Sequence, residues 1–124
     1  MNILLVCKFN RFRSKIAEAF FKKFTDYNVK SAGIIKGPPI DDEILRCAHK
    51  FGLKLTRTIR ALDWSMLKWQ DVIIIVANNV PKKFFEDIRL VKDVRVWQIP
   101  DTIGIEDRMD VIKLIKEKVK RFRE

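Results

Sequence analysis

The sequence predicts a single-domain α/β protein built on a parallel sheet. Strand-like segments at residues 2–7, 28–32, 72–77 and 93–98 alternate with stretches whose apolar residues recur at helical spacing. The first strand, Ile3 to Val6, is a short aliphatic run with no polar alternation, as expected of a strand buried on both faces. At 124 residues the chain is long enough for one domain with a sizeable core, and it shows no repeat, low-complexity stretch or linker, so residues 1–124 are expected to form one unit.

Each element has a local reason. After Cys7, six residues separate the first strand from a helix that carries Ile16, Ala17, Phe20, Phe21 and Phe24 on one side. The second strand follows at 28–32, and Pro38 and Pro39 mark the loop beyond it. Asp41, Asp42 and Glu43 open a second helix, matching its dipole. Ile40, Ile44, Cys47, Ala48 and Phe51 line its inner side, and Gly52 ends it. Trp64 and Trp69 flank a short helix, where both are expected to pack. The third strand is followed by a short helix predicted from Lys82 to Leu90, after Pro81. Trp97, at the end of the fourth strand, is expected in the core. The last helix, from about Glu106 to Arg123, turns Ile112, Ile115, Val119 and Phe122 inward and Lys113, Lys116, Lys120 and Arg123 to water.

Composition narrows the function classes. Hydrophobic residues make up 48% of the chain, with nine Phe and three Trp, which excludes a disordered protein. No apolar run approaches the length of a membrane span and no signal-peptide pattern opens the chain, so a cytoplasmic protein without membrane attachment is expected. Two cysteines without a framework fit a reducing compartment. The net charge of +10 attracts anions of any kind. Nucleic-acid binding needs more, a groove-reading helix or exposed stacking aromatics, and neither is evident, so nucleic acid is not an expected partner. No His, Cys and Asp spacing suggests a metal, and no cofactor is expected. His49, the only histidine, falls mid-helix with nothing placing it near Cys7.

The segment from Cys7 to Ser14 carries the chemistry. A strand-to-helix loop aims backbone N–H groups at one spot and adds the positive end of a helix dipole. A cysteine at its start is favoured as thiolate, and Arg13 at its end can fork two phosphate oxygens. This is a place for a thiolate to attack a phosphate ester. Ligands of such sheets bind beyond the carboxyl ends of the strands. Cys7 ends the first strand and Asp101 follows the fourth, so the two converge on one rim.

These residues resemble the low-molecular-weight protein tyrosine phosphatases, a family that includes thioredoxin-coupled arsenate reductases. Its opening pattern, C-x-G-N-x-C-R-S followed by a helix with A-E-A, is met by Cys7, Asn10, Arg13, Ser14 and Ala17-Glu18-Ala19. Ser31-Ala32-Gly33, Gly52-Leu53-Lys54-Leu55, Arg60 and Asp71 to Ile75 resemble later family segments, in order along nearly the whole chain. Asp101 resembles the aspartate of the family's late D-P loop. The resemblance implies a flavodoxin-like four-stranded parallel sheet in the order 2-1-3-4 with helices on both faces.

It also implies a mechanism. Cys7 is the nucleophile. Arg13 and the N–H groups of Lys8, Phe9, Asn10, Arg11, Phe12 and Arg13 hold the phosphate oxygens, with Ser14 donating its hydroxyl to the thiolate. Asn10 fixes the loop by side-chain hydrogen bonds, with Ser31 as a partner. Asp101 is the general acid and then the base that activates water; its local alternative is a turn or helix-capping aspartate. The expected substrate is a phosphorylated protein or a small aryl phosphate, and inorganic phosphate or vanadate should bind as ligands.

The departures are equally specific. Phe9 replaces the loop glycine and would be strained if that position needs a positive φ. Phe12 replaces the second loop cysteine, so no loop disulfide can protect Cys7. Thr102 replaces the proline after the aspartate, the chain reads Ile103-Gly104-Ile105 where a tyrosine pair often stands, and Ala77-Asn78 replaces a pair ending in aspartate. Three alternatives therefore stand beside the phosphatase: a phosphate-binding module with weak catalysis, an arsenate reductase, and a basic nucleic-acid adaptor. Arsenate turnover needs further cysteines, and Cys47, expected to be a core thiol, is the only other one.

Overall fold

The computed structural model describes residues 1–102 and 104–123. The elements in order are β1 (Asn2–Cys7), α1 (Arg13–Phe24), β2 (Asn28–Gly33), α2 (Asp42–Lys50), α3 (Trp64–Trp69), β3 (Val72–Val76), a 3₁₀ turn (Lys82–Phe85), β4 (Val94–Trp97) and α4 (Ile105–Arg121). The four strands form one parallel sheet in the order β2-β1-β3-β4, as expected. β1 and β3 lie at the centre, and Ile3 to Val6 and Ile73 to Val76 are fully buried. Parallel strands covered by helices on both faces need no polar alternation, which explains the unbroken aliphatic runs.

The two faces are covered unequally. Ile3, Leu5, Ile74 and Val76 pack with Ile16, Phe20 and Phe21 of α1, Ile44 and Cys47 of α2 and Ile112, Ile115 and Val119 of α4. Leu4, Val6, Ile73 and Ile75 meet only short elements, through Met66 and Leu67 of α3 and Phe85 of the 3₁₀ turn. Phe21 centres an aromatic group on the first face: its ring stacks on Trp97 at 6.0 Å and meets Phe122 edge-on at 5.3 Å. Trp97 is thus a packing residue, as expected.

Helix ends follow their chemistry. The Asp41 carboxylate accepts the Ile44 N–H at 2.9 Å and caps α2. At the other end Gly52 takes φ +73°, and the Gly52 and Leu53 N–H groups close on the His49 and Ala48 carbonyls. Those two bonds complete a Schellman motif, where a glycine avoids the left-handed penalty of other residues.

Two expectations are corrected. The helix predicted from Lys82 to Leu90 is a 3₁₀ turn over Lys82–Phe85 followed by further tight turns. Phe85, Ile88 and Val91 recur every third residue, which is the 3₁₀ period and not the α period. Trp64 does not pack: it is 58% exposed. A helix of six residues has one buried face, and Met66 and Leu67 occupy it. Trp69 is half-buried beneath the Lys30 ammonium, 4.5 Å from its ring. His49 is exposed and Cys47 buried, as expected. Among the described residues no helix is long and apolar enough to cross a membrane.

The aromatic group at Phe21 sets a stability test. Phe21→Ala removes a fully buried ring and should cost about 3–5 kcal/mol in urea unfolding. Phe24→Ala, at a position already 40% exposed, should cost much less. Equal losses would show that the Phe21 cluster is not the anchor of this face.

Candidate active site

β1 ends at Cys7, and after five intervening residues α1 begins at Arg13. The loop between them folds back on β2. The Ile34 and Ile35 N–H groups donate to the Cys7 and Lys8 carbonyls at 3.0 and 3.1 Å, extending the β1–β2 pairing beyond the strands. The strain expected at Phe9 does not arise: among the described non-glycine residues only Asn10 has a positive φ, at 54°. Asparagine tolerates that conformation better than most residues. Room for the Phe9 side chain comes from across the loop. A Cβ on Gly37 would lie 2.5 Å from the Phe9 Cβ, and one on Gly33 would lie 2.8 Å from the Asn10 nitrogen. The glycine missing at position 9 is balanced by glycines on the segment it touches.

Asn10 is buried and its amide is fully used. Its Oδ1 accepts the Arg60 backbone N–H at 2.9 Å, which fixes the orientation of the amide. Its Nδ2 then donates to Ser14 Oγ at 2.8 Å and to Ser31 Oγ at 2.9 Å. Ser31 Oγ in turn donates its hydrogen bond to the Glu18 carboxylate at 2.8 Å. Ser14 Oγ lies 3.0 Å from Cys7 Sγ. Because Ser14 Oγ already accepts from Asn10, its hydrogen is free to point at the sulfur.

α1 begins differently from α2 and α3. Asp41 and Asp63 cap those helices, whereas Phe12 at the start of α1 makes no side-chain cap and no acidic residue lies in the first turn. The first N–H groups of α1 are therefore left for an outside acceptor. Phe12 and Arg13 at this helix start line a cavity of about 260 Å³, together with Cys7, Phe9, Arg11, Pro38, Ile44, Asp101, Thr102 and Arg108.

Arg13 is 4% exposed. Its Nη1 donates to the Ile99 carbonyl at 2.9 Å and its Nη2 to Asn79 Oδ1 at 3.0 Å. The Asn78 N–H donates to the same Ile99 carbonyl at 2.9 Å. That carbonyl thus joins the exits of β3 and β4 to the start of α1, two residues before Asp101. The Asp101 carboxylate is exposed at the cavity and accepts only the adjacent Thr102 N–H among the described residues. It is not a helix cap, since α4 starts at Gly104 without one.

Of the residues picked out in the sequence, the cavity gathers Cys7, Phe9, Arg11, Phe12, Arg13 and Asp101. Asn10, Ser14 and Ser31 support it from behind, and the Lys8 side chain is exposed, 5.1 Å from the Phe9 ring. Ile103 lies outside the described residues. Sequence reasoning missed Asn79, Gly37 and Arg108. Asn79, not Asn78, reaches the arginine. Arg108 did leave a signal: counted back from Phe122, Val119, Ile115 and Ile112, it falls on the apolar stripe of α4. A charge on a core-facing stripe asks for partners. Arg108 finds them in Glu43 and in Asp41, 3.5 Å away. Partial burial would raise the Asp41 pKa, but the Ile44 N–H and the Arg108 and Arg11 guanidiniums outweigh it and hold the carboxyl below its ordinary value.

This geometry belongs to the parallel α/β enzymes that handle an oxyanion at the end of the first strand. The family follows from comparison. Residues 2–123 match the model of the low molecular weight phosphotyrosine protein phosphatase family, and the chain belongs to that family. It is therefore a phosphatase by class. No curated protein matches the chain. Among solved structures, an arsenate reductase from Archaeoglobus fulgidus is 25% identical, with 96% of each chain covered and a TM-score of 0.74. An arginine phosphatase from Geobacillus stearothermophilus is 18% identical over 97% of this chain and 88% of its own, with a TM-score of 0.84. A low molecular weight phosphotyrosine phosphatase from Vibrio cholerae is 18% identical over 97% of this chain and 92% of its own, with a TM-score of 0.82. The last two likenesses are of fold alone.

Both thiols are buried, but only Cys7 lines the cavity. Iodoacetate should therefore label Cys7 first, and phosphate or vanadate should slow that labelling by filling the loop. Peptide mapping that finds Cys47 labelled first, or no protection by oxyanions, would remove the phosphate-loop assignment.

Proposed function

We propose that the chain hydrolyses an aryl phosphate, such as phosphotyrosine, through a cysteinyl-phosphate. The observation that carries this reading is the convergence of Cys7, the uncapped start of α1, Arg13 and Asp101 on one cavity. In this reading the Cys7 thiolate attacks phosphorus in line with the departing oxygen. The N–H groups of Lys8, Phe9, Asn10, Arg11, Phe12 and Arg13, with the Arg13 guanidinium, hold the three equatorial oxygens as charge builds. Arg13 arrives already oriented by the Ile99 carbonyl and Asn79. Orientation fixed before binding costs nothing at the moment of reaction. Asp101 protonates the leaving oxygen. It then takes a proton from the water that cleaves the sulfur–phosphorus bond, releasing phosphate and restoring the thiolate. Ser14, with its hydrogen free for the sulfur, stabilises that returning thiolate. The rings of Phe9 and Phe12 and Pro38 offer an aromatic leaving group an apolar wall. We place the reaction in the cytoplasm, where two free thiols stay reduced.

The arsenate reductase alternative is disfavoured by Cys47. Its side chain belongs to the core cluster under α1, α2 and α4, whereas Cys7 belongs to the cluster on the other face. It is not placed to carry oxidation away from Cys7.

Two variants test the reading. Cys7→Ser should abolish hydrolysis of a generic aryl phosphate. Wild type that binds phosphate but releases none from the ester would make the chain a binding module. Asp101→Asn should lose about 10²–10⁴-fold in turnover of phosphotyrosine-like esters, the usual size of general acid–base catalysis. An activated nitrophenyl ester should lose far less, because its leaving group needs no proton, and vanadate binding should persist. Wild-type rates from Asp101→Asn on both esters would pass the role to Glu106 or Asp107.

A further inference from the structure

The cavity has a second cationic feature that the phosphate chemistry above does not use. Arg11 and Arg108 both line it, one from the loop and one from the first turns of α4. Their side chains are 25% and 13% exposed. Both reach the same Asp41 oxygen, from 3.3 and 3.5 Å, and Arg108 also binds Glu43. Neither carboxylate lines the cavity, so the acids hold the guanidiniums from outside it. Nor do the acids saturate them. The Arg11 and Arg108 Nε–H groups are both buried without an acceptor. A guanidinium has five N–H donors, and its planar fork fits a carboxylate or phosphate. Arg11 Nη2 also donates to the Pro39 carbonyl at 3.1 Å, and since the Nε–H groups are closed to solvent, a further anion would meet the remaining Nη donors of the two arginines.

Resting on the phosphatase reading, we infer that the enzyme selects phosphate esters whose leaving group bears its own anionic group, a carboxylate or a second phosphate. Arg13 and the loop take the phosphoryl group to be transferred, and Arg11 and Arg108 take the second anion at the mouth. The volume agrees. At about 260 Å³ the cavity lies below the usual range of small-molecule sites, roughly 300–1,000 Å³, and accepts a phosphoryl group with one small appendage. The Arg108 guanidinium lies 5.9 Å over the ring of Phe12, which lines the same cavity. Arg108 acts here in specificity. It touches the remote end of the substrate and takes no part in bond cleavage.

The test compares para-carboxyphenyl phosphate with its neutral isostere, para-carbamoylphenyl phosphate, at low ionic strength. Wild type should favour the carboxylate by about tenfold or more in kcat/KM, the size of one charge-assisted hydrogen-bond pair. Hydroquinone bisphosphate, in a second arm, shows whether phosphate is preferred to carboxylate as the remote group. In Arg108→Met and in Arg11→Met the ratio should collapse towards unity, and in Arg108→Lys it should be intermediate, because the charge remains and the fork is lost. A purely structural role would depress both esters together and keep the ratio. A wild-type ratio near unity with Cys7-dependent turnover of the neutral ester overturns the inference and leaves the phosphatase reading standing. A ratio that survives in both methionine variants also overturns it. Hydrolysis of neither ester overturns the phosphatase reading itself, and the inference with it.

Discussion

The side-chain amide of Asn10 is the constraint on which the site depends. It sits on the one described non-glycine residue with a left-handed backbone, and it binds three separate parts of the chain. Ser14 belongs to α1, Ser31 to β2 and Arg60 to the loop before α3. That loop is itself secured on two sides. The Gly33 N–H donates to the Arg60 carbonyl at 2.8 Å, and the Lys15 ammonium donates to Thr56 Oγ1 and the Thr58 carbonyl. Burial pushes the Lys15 pKa down, with Glu18 opposing, so the ammonium is costly to keep where it is and its bonds matter. A buried amide with all its donors and acceptors matched tolerates no small displacement, since any shift leaves a polar atom unpaired. The loop therefore has one shape, and the first N–H groups of α1 are held in place before a ligand arrives.

Much of this was legible in the sequence because it is local. The alternation of elements, the caps of α2 and the run from Cys7 to Ser14 depend on neighbours within a few residues. The shared rim of Cys7 and Asp101 follows from the strand reading and the strand order from the resemblance; the sheet has that order, and the two residues line one cavity. What could not be read is non-local. Gly37 matters because Phe9 is opposite it, 28 residues away in sequence. Asn79 matters because the Ile99 carbonyl brings Arg13 between two strand ends. The short element after Pro81 is ambiguous in sequence for a different reason: a period of three and the α period of 3.6 are hard to separate over nine residues. Trp64 stays exposed because a helix of six residues cannot bury every large side chain it carries.

The site's electrostatics are mixed, although the chain carries +10. Three arginines line the cavity, and the acids that balance two of them stand behind it. From the cavity the surface is cationic, and from outside it is a paired network joining the loop, α2 and α4. An ion-pair network of this kind contributes little net stability at the exposed rim. Its effect is on orientation, since Asp41 caps α2 while it also holds the two guanidiniums.

The exchange of a cysteine for Phe12 gives the enzyme a particular exposure to oxidants. A sulfenic acid on Cys7 has no thiol in its own loop to condense with, and Cys47 lies in the opposite core cluster. One reversible rung of the oxidation ladder, an internal disulfide that a reductant reopens, is thereby closed to it. Without an external thiol, peroxide would drive the sulfur onward to acids that thiols do not reverse. Rescue of a Cys7 sulfenic acid would therefore have to come from a thiol on another molecule, in competition with further oxidation by the peroxide itself.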